Sequence, residues 1–343
     1  MFRKCSLLVI LAISLLLTAC GGDAGNRPDP KPSVYFWRTN FELAPEETAF
    51  LQAHRIGRMY VRYFDVVLDN DEAVPNASIV FNSPFPKDVE IIPTVFIMES
   101  VLHSPHEELA DRLVKRILQM NETHDVPNVQ EVQLDCDWTD RSRKACYALF
   151  NAVRSKLKAH NIKLSATIRL HQLRMPPPPV DYGVLMVYNT GVATKATGRN
   201  PIIDLRDIQP FLSALKDYDL PLCAAYPDFE WRRLFGKKGL KGILYGDEVA
   251  DTLVFQPRTP SSYMAISARH LTTSLAGGNQ ADIYVAIGDS VLVSRSDQKT
   301  IEDVQQAIAQ HRPSIHQQVI IYPLAKENIL RRKSSDYEKI LHP

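Results

Sequence analysis

Extended apolar runs alternate with amphipathic ones along most of this chain. Residues 34–37 read as a strand and 46–54 as a helix; 58–64 is extended, and 90–98 leads into a helical pattern over 106–120. The run 129–137 precedes 141–160, in which Ala145, Leu149, Ala152, Val153 and Leu157 fall at helical spacing. Strands follow at 162–170, 182–188 and 220–226, with a helix at 207–216, and the four prolines Pro176 to Pro179 stop any helix where they stand. Repeated strand-helix units predict a parallel sheet with helices outside it, and the length suits one α/β domain, a (β/α)8 TIM barrel. The eighth strand has two candidates, 242–245 and 318–322. The later one is preferred, because 315–324 is the stronger apolar run, a helix at 301–311 precedes it, and 326–341 can supply the closing helix. Residues 228–298 then form a long insertion after strand seven. A hairpin is expected in it at Gly288-Asp289, joining 282–287 to 291–294.

The ends refine this picture. Arg3 and Lys4, the apolar stretch 7–17 and the sequence Leu17-Thr18-Ala19-Cys20 resemble a bacterial lipoprotein signal, so residues 1–19 are expected to be removed and Cys20 to carry lipid. Residues 20–33 are rich in Gly, Pro and charge and read as a tether, leaving 34–343 as the barrel domain. Gly21 and Gly22 follow the cysteine, with no aspartate in second place, which favours the outer membrane of a cell envelope.

Formal charge is +1 with both signs interspersed, so no nucleic-acid partner is expected. Cys136, Cys146 and Cys223 remain for the folded body, without a CxxC pair, and are expected buried and reduced. His103, His106 and His124 share no helical face, and neither a metal nor another cofactor is expected.

In such a barrel the chemistry sits where strands end. Those positions hold Trp37 and Arg38, Tyr63 and Asp65, Glu99, Asp135, Asp137 and Trp138, Arg169 and His171, Tyr188 and Asn189, and Tyr226, Asp228 and Glu230. Carboxylates among aromatic rings and Arg or Asn donors suit a glycan: rings stack on sugar faces, and glycosidic cleavage commonly uses two carboxyl groups. Asp135 and Asp137, two apart on a strand, share a face. They form either an acid pair with one raised pKa or a structural pair bonded to Arg169. Glu230 is either a seventh-strand partner for Asp137 or part of a polar helix start capped by Asp228. Tyr188 either holds a sugar or closes the core, and Trp37 and Trp138 either stack on sugar or pack the rim.

The run VQLDCDWTD resembles the fourth-strand signature of family-18 glycoside hydrolases, the chitinase-like barrels, with Asp135 and Asp137 on its two aspartates and Trp138 on its aromatic. Met186-Val187-Tyr188-Asn189 resembles that family's sixth-strand motif, whose tyrosine and amide or acid hold the substrate's N-acetyl group. Thr139 stands at the place of the general-acid glutamate and Val132 at that of the first aspartate, and QVIIYPL lacks the family's floor tryptophan. From Val34 onward the chain also resembles an uncharacterised family of bacterial barrel proteins related to glycosyl hydrolases, through ATIRLHQL and LMVYNTG.

Two functions follow as expectations. One is a membrane-anchored glycoside hydrolase acting on an envelope or environmental glycan. It would use Asp137 as acid/base, Asp135 to tune it or Glu230 as its alternative partner, and Trp37, Trp138, Arg169, His171, Tyr188, Asn189 and Tyr226 to position substrate. The other is a glycan-binding or scaffold lipoprotein that keeps the barrel without the cleavage.

Overall fold

The computed structural model describes residues 29–244, 248–274 and 280–343; the expected signal segment, Cys20 and most of the expected tether lie outside the described residues. Seven parallel strands come first: β1 (Ser33–Phe36), β2 (Arg58–Asp69), β3 (Glu90–Ile97), β4 (Glu131–Cys136), β5 (Lys163–Ile168), β6 (Tyr182–Met186) and β7 (Leu222–Pro227). The insertion opens with β8 (Glu230–Gly236), β9 (Gly239–Leu244), β10 (Phe255–Thr259), β11 (Ser262–Ala265) and β12 (Arg269–Ser274). They are followed by β13 (Gln280–Val285), β14 (Ser290–Arg295) and the eighth barrel strand, β15 (Val319–Tyr322). Ser33 pairs with Ile320 on one side and with Arg58 on the other, so β1 closes the barrel between β15 and β2. The eighth strand is thus the later candidate; residues 242–244 belong to β9 of the insertion.

Helices α1 (Pro45–Ala53), α2 (His106–Thr123), α3 (Arg143–Lys158), α4 (Gln298–His311) and α5 (Ser334–Leu341) lie outside the strands. Their buried faces share one apolar shell with the outward residues of the strands, such as Val132, Leu134 and Cys136 of β4. Two expected helices are interrupted. Pro210 lacks the amide a continuous helix over 207–216 would need, and a 3-10 turn, Gln209–Phe211, replaces it. The closing helix is split into Lys326–Ile329 and α5, and between them Arg332 turns inward to Asp228.

Period-two alternation sends the other side chains into the barrel, and many are polar. Arg58 donates to Glu90 (2.9 Å) and Gln318 (3.0 Å), Gln318 to the Tyr60 hydroxyl (3.2 Å), and the Tyr60 and Tyr182 hydroxyls meet at 3.0 Å. Ser165 donates to the fully buried Glu131 (2.6 Å), and one layer higher Tyr35 donates to Gln133 (2.7 Å). A barrel interior is more often filled by branched aliphatics. Here Tyr35, Tyr60 and Tyr182, with hydrogen-bonded hydroxyls, share it with Ile92, Val184 and Ile320.

The insertion has its own small core of Leu234, Leu244, Val254, Phe255 and Val291 under a sheet ordered β9-β8-β14-β11-β10. The expected hairpin does not form. Gly288 turns the chain at φ +86°, but its amide donates to Ala265, and Asp289 takes the Ala286 amide and Lys241. The flanking segments therefore diverge: β13 pairs with β12, whereas β14 pairs with β8 and β11. Nor does a helix start at Asp228, since residues from Glu230 onward are strand β8, paired antiparallel with β14 from Arg295.

Candidate functional site

The carboxyl ends of the barrel strands surround an open cavity of about 470 Å³. Its wall brings together Trp37, Asp135, Asp137, Arg169, His171, Tyr188 and Asn189, all expected from the sequence, with Asp65. Asp135 and Asp137 share this face but not their surroundings. The Asp135 side chain is 3 % exposed and accepts from Thr167 (2.6 Å) and Arg169 (3.0 Å); that of Asp137, one residue past β4, is 58 % exposed. Asp137 has Arg169 Nε at 4.0 Å and His171 Nε2 at 3.6 Å. Burial works against the charge of Arg169, but Asp135, then Tyr188 and Asp137, outweigh it and raise its pKa. The guanidinium is therefore fixed as a cation beneath the cavity.

Asp65 forms a two-point ion pair with Arg62, whose guanidinium lies 5.6 Å from the Trp37 ring centre. Arg62 escapes a reading by strict alternation because β2 carries a bulge: its pairing with β3 shifts between Arg62 and Phe64. The extra residue, Tyr63, turns outward and donates to Asn121, and the phase change lets Arg62 and Asp65 both face the cavity. The only sequence signal is that change of phase within Arg58–Asp69. Phe96, Met186, Phe211 and Tyr322 also line the cavity and were not singled out by the pattern. Tyr322 ends β15 and stacks on Tyr188, centroids 4.5 Å apart and planes within 8°, while Trp37 meets it edge-on at 5.9 Å.

Tyr188 lines the cavity and is 6 % exposed, and its hydroxyl is buried with no hydrogen-bond partner among the described residues. Burial, and then the neighbouring Tyr322, push its pKa well above the usual tyrosine value, so it is a neutral phenol with a proton to donate. A buried polar group without a partner costs about 1–3 kcal/mol. Asn189 follows at φ +55°, a left-handed turn that asparagine tolerates.

Three residues proposed for the site lie elsewhere. Trp138 is fully buried outside the barrel, edge-on to Tyr147 and Phe150 of α3, because the chain turns back under that helix after Asp137. Tyr226 has the outward parity of β7, opposite to the inward Cys223 and Ala225, and its hydroxyl meets His316 at 2.6 Å. Glu230, on β8, lines a second cavity together with Asp228. Arg38 points away to Glu47 (2.8 Å), and Glu99 lies beside the mouth. Hydrogen bonds from Ser142 and then Thr139 (2.8 Å) hold the Glu99 carboxyl below its usual pKa. The Thr139 hydroxyl is thereby committed outside the cavity. Among the described residues no group of three or more His, Cys, Asp or Glu is arranged to hold a metal ion, and no helix is long and apolar enough to cross a membrane.

No family model and no curated protein matches this chain by sequence. Solved structures do match in shape. A chitinase from Chromobacterium violaceum superposes with a TM-score of 0.54 at 11% identity, over 92% of this chain and 99% of that one. The C-terminal domain of a putative chitinase from Desulfitobacterium hafniense gives 0.55 at 13%, over 92% and 100%. The spore cortex-lytic enzyme SleL of Bacillus megaterium gives 0.53 at 11%, over 91% and 75%. What these structures share with the chain is the fold, an eight-stranded parallel barrel with helices outside it.

Proposed function

We propose that the mouth of this barrel binds a glycan bearing acetamido groups and that the protein acts on it as a glycoside hydrolase, with Asp137 as the acid. One observation carries the binding half: the buried Tyr188 hydroxyl, unpartnered in a wall of Trp37 and Tyr322, has the place and the proton to meet a sugar amide. The assignment of Asp137 rests on elimination among the mouth carboxylates. Asp65 is tied to Arg62 and Asp135 to Arg169 and Thr167, so Asp137 is the one that faces solvent. The lipoprotein-like leader places this activity, in the same proposal, on a lipid anchor at Cys20, on the outer membrane of a cell envelope.

Thr139 favours a second reading, binding without cleavage. It stands where the chitinase-like pattern has its acid, and its hydroxyl is held by Glu99. Release of reducing ends from peptidoglycan and chitin-like polymers separates the two. Steady release by the purified chain supports hydrolysis; none across that panel, with binding retained, leaves the glycan-binding protein. Binding itself is tested by Tyr188→Phe, which removes one hydroxyl from a site otherwise unchanged. The variant is expected to weaken the affinity for a neutral N-acetylglucosamine oligomer about tenfold by calorimetry. Equal affinities for the two proteins would overturn the assignment of Tyr188.

A further inference from the structure

Glu230 does not serve the mouth, and its surroundings show another use for it. Its carboxylate is 3 % exposed and faces three guanidiniums: Arg232 Nε at 2.8 Å, Arg295 Nε in a direct ion pair, and Arg331 at 4.0 Å. Around this carboxylate the guanidiniums outnumber it three to one, while the cavity lining as a whole balances four acids, Asp228, Glu230, Asp297 and Asp336, against four bases, Arg295, Arg331, Arg332 and Lys333. Arg295 is 63 % and Arg331 41 % exposed, and both line a cavity of about 580 Å³, with one Arg331 nitrogen donating to Asn328. Lys333 stands exposed on the same wall. The other charges there are mostly spent. Arg332 is taken up by Asp228 (3.2 Å), Gln298 (2.7 Å) and the Ser296 carbonyl (2.6 Å), Asp228 also accepts from Tyr337, and Asp297 caps α4. Asp336 is the remaining acid of the lining.

Phe229 separates this cavity from the mouth. Its ring lies 6.3 Å from that of Tyr188 and 6.0 Å from that of Tyr322, both in the mouth wall, and it lines the second cavity as well. Trp231 continues the aromatic row at 5.4 Å. A sugar chain resting on Tyr322 and Phe229 would carry its substituents to the arginines.

We propose that the cavity behind Phe229 binds a carboxylate borne by the same glycan, with Arg295 and Arg331 as the paired donors and Lys333 adding charge at the rim. This rests on the glycan reading of the mouth. Guanidiniums suit a carboxylate because their N–H groups match its two oxygens, and the buried Glu230 holds two of them in place before any ligand arrives. The ligand class is therefore an acidic glycan, one whose sugars carry carboxyl-bearing ethers, peptides or uronic groups.

The test compares two N-acetylglucosamine-based tetramers by calorimetry on the purified full chain. One is neutral; in the other, alternate sugars carry a lactyl carboxylate. The acidic tetramer is expected to bind about tenfold tighter, with the preference shrinking as salt rises to about 0.3 M. In Arg295→Gln/Arg331→Gln the ratio of the two dissociation constants is expected to fall to about one. Lys333→Gln, at an exposed rim position, is expected to lower the ratio by less than about twofold. A parent that binds both tetramers alike, or a preference that survives the double substitution, overturns the carboxylate site and leaves the mouth reading standing. Binding of neither tetramer overturns both. A parent preference for the acidic tetramer, with affinities for both tetramers that Tyr188→Phe leaves unchanged, supports the arginine site and counts against the mouth.

Discussion

Asp137→Asn is expected to lower the release of reducing ends by a factor of about 10² to 10⁴, the usual contribution of a positioned general acid. Asparagine keeps the size and most of the polarity of the side chain but has no carboxyl proton to give a leaving oxygen. The exposure of Asp137 makes the substitution mild for the fold. Its neighbours, His171 at 3.6 Å and Arg169 at 4.0 Å, touch it from one side only. Binding of an uncleaved oligomer should stay within about threefold, since a largely solvated side chain contributes little to ground-state affinity. The measurement is kcat and KM for parent and variant on the best substrate of the panel, with calorimetry for binding. A turnover number that the substitution leaves alone would remove Asp137 from the chemistry and return attention to Glu99, just outside the mouth.

Glu131→Gln is expected to change how stability depends on pH. Glu131 lies wholly inside the barrel, where burial pushes its pKa up to about 7 against the opposing pull of Arg58 and the hydrogen bond from Ser165. Its ordinary value is 4.5, so between these limits the native state holds a proton that the unfolded chain releases. Stability therefore falls as pH rises across that window, by about 3 kcal/mol in all, and levels off above it. Glutamine stays neutral throughout. Urea unfolding at several pH values should show the parent losing stability from acid to neutral while the variant stays nearly flat, the two curves meeting at the acid end. Parallel curves would mean that Glu131 remains ionised in the folded protein.

The barrel was legible because its strands are buried on both faces and read as apolar runs, and because the helices between them keep a 3.6-residue period. Even the choice of β15 over residues 242–245 rested on such a run. In the insertion the strands are short and pair across intervening strands. Gly288 gives a true turn signal there, yet nothing local tells that β14 joins β8 and β11 while β13 leaves with β12. The mouth was legible as a set of strand ends but not residue by residue. Alternation separates Asp135 and Arg169, which face in, from Tyr226, which faces out, and could have been applied to Tyr226 from the start. Trp138 lies past its strand, where alternation no longer rules, and the bulge at Tyr63 hides Arg62. Glu230 shows a further limit. A carboxylate just past a strand end reads either as a catalytic partner or as part of a polar helix start until the arginines around it are seen, and of these only Arg232 is near in sequence, whereas Arg295 and Arg331 come from distant parts of the chain.

The closure of β1 between β2 and β15 has a consequence for how the chain is made. Ser33 and Ile320 sit at opposite ends of the sequence, and β15 is also the neighbour of β7. Until the final strand has been synthesised, β1 and β7 each present a raw hydrogen-bonding edge, the kind of surface on which chains aggregate. A nascent chain that stops short of Val319 has neither a sealed barrel nor a finished mouth, because Tyr322 is still missing from its wall. The barrel can therefore close only after its last strand has emerged, and folding of this domain is tied to completion of the chain.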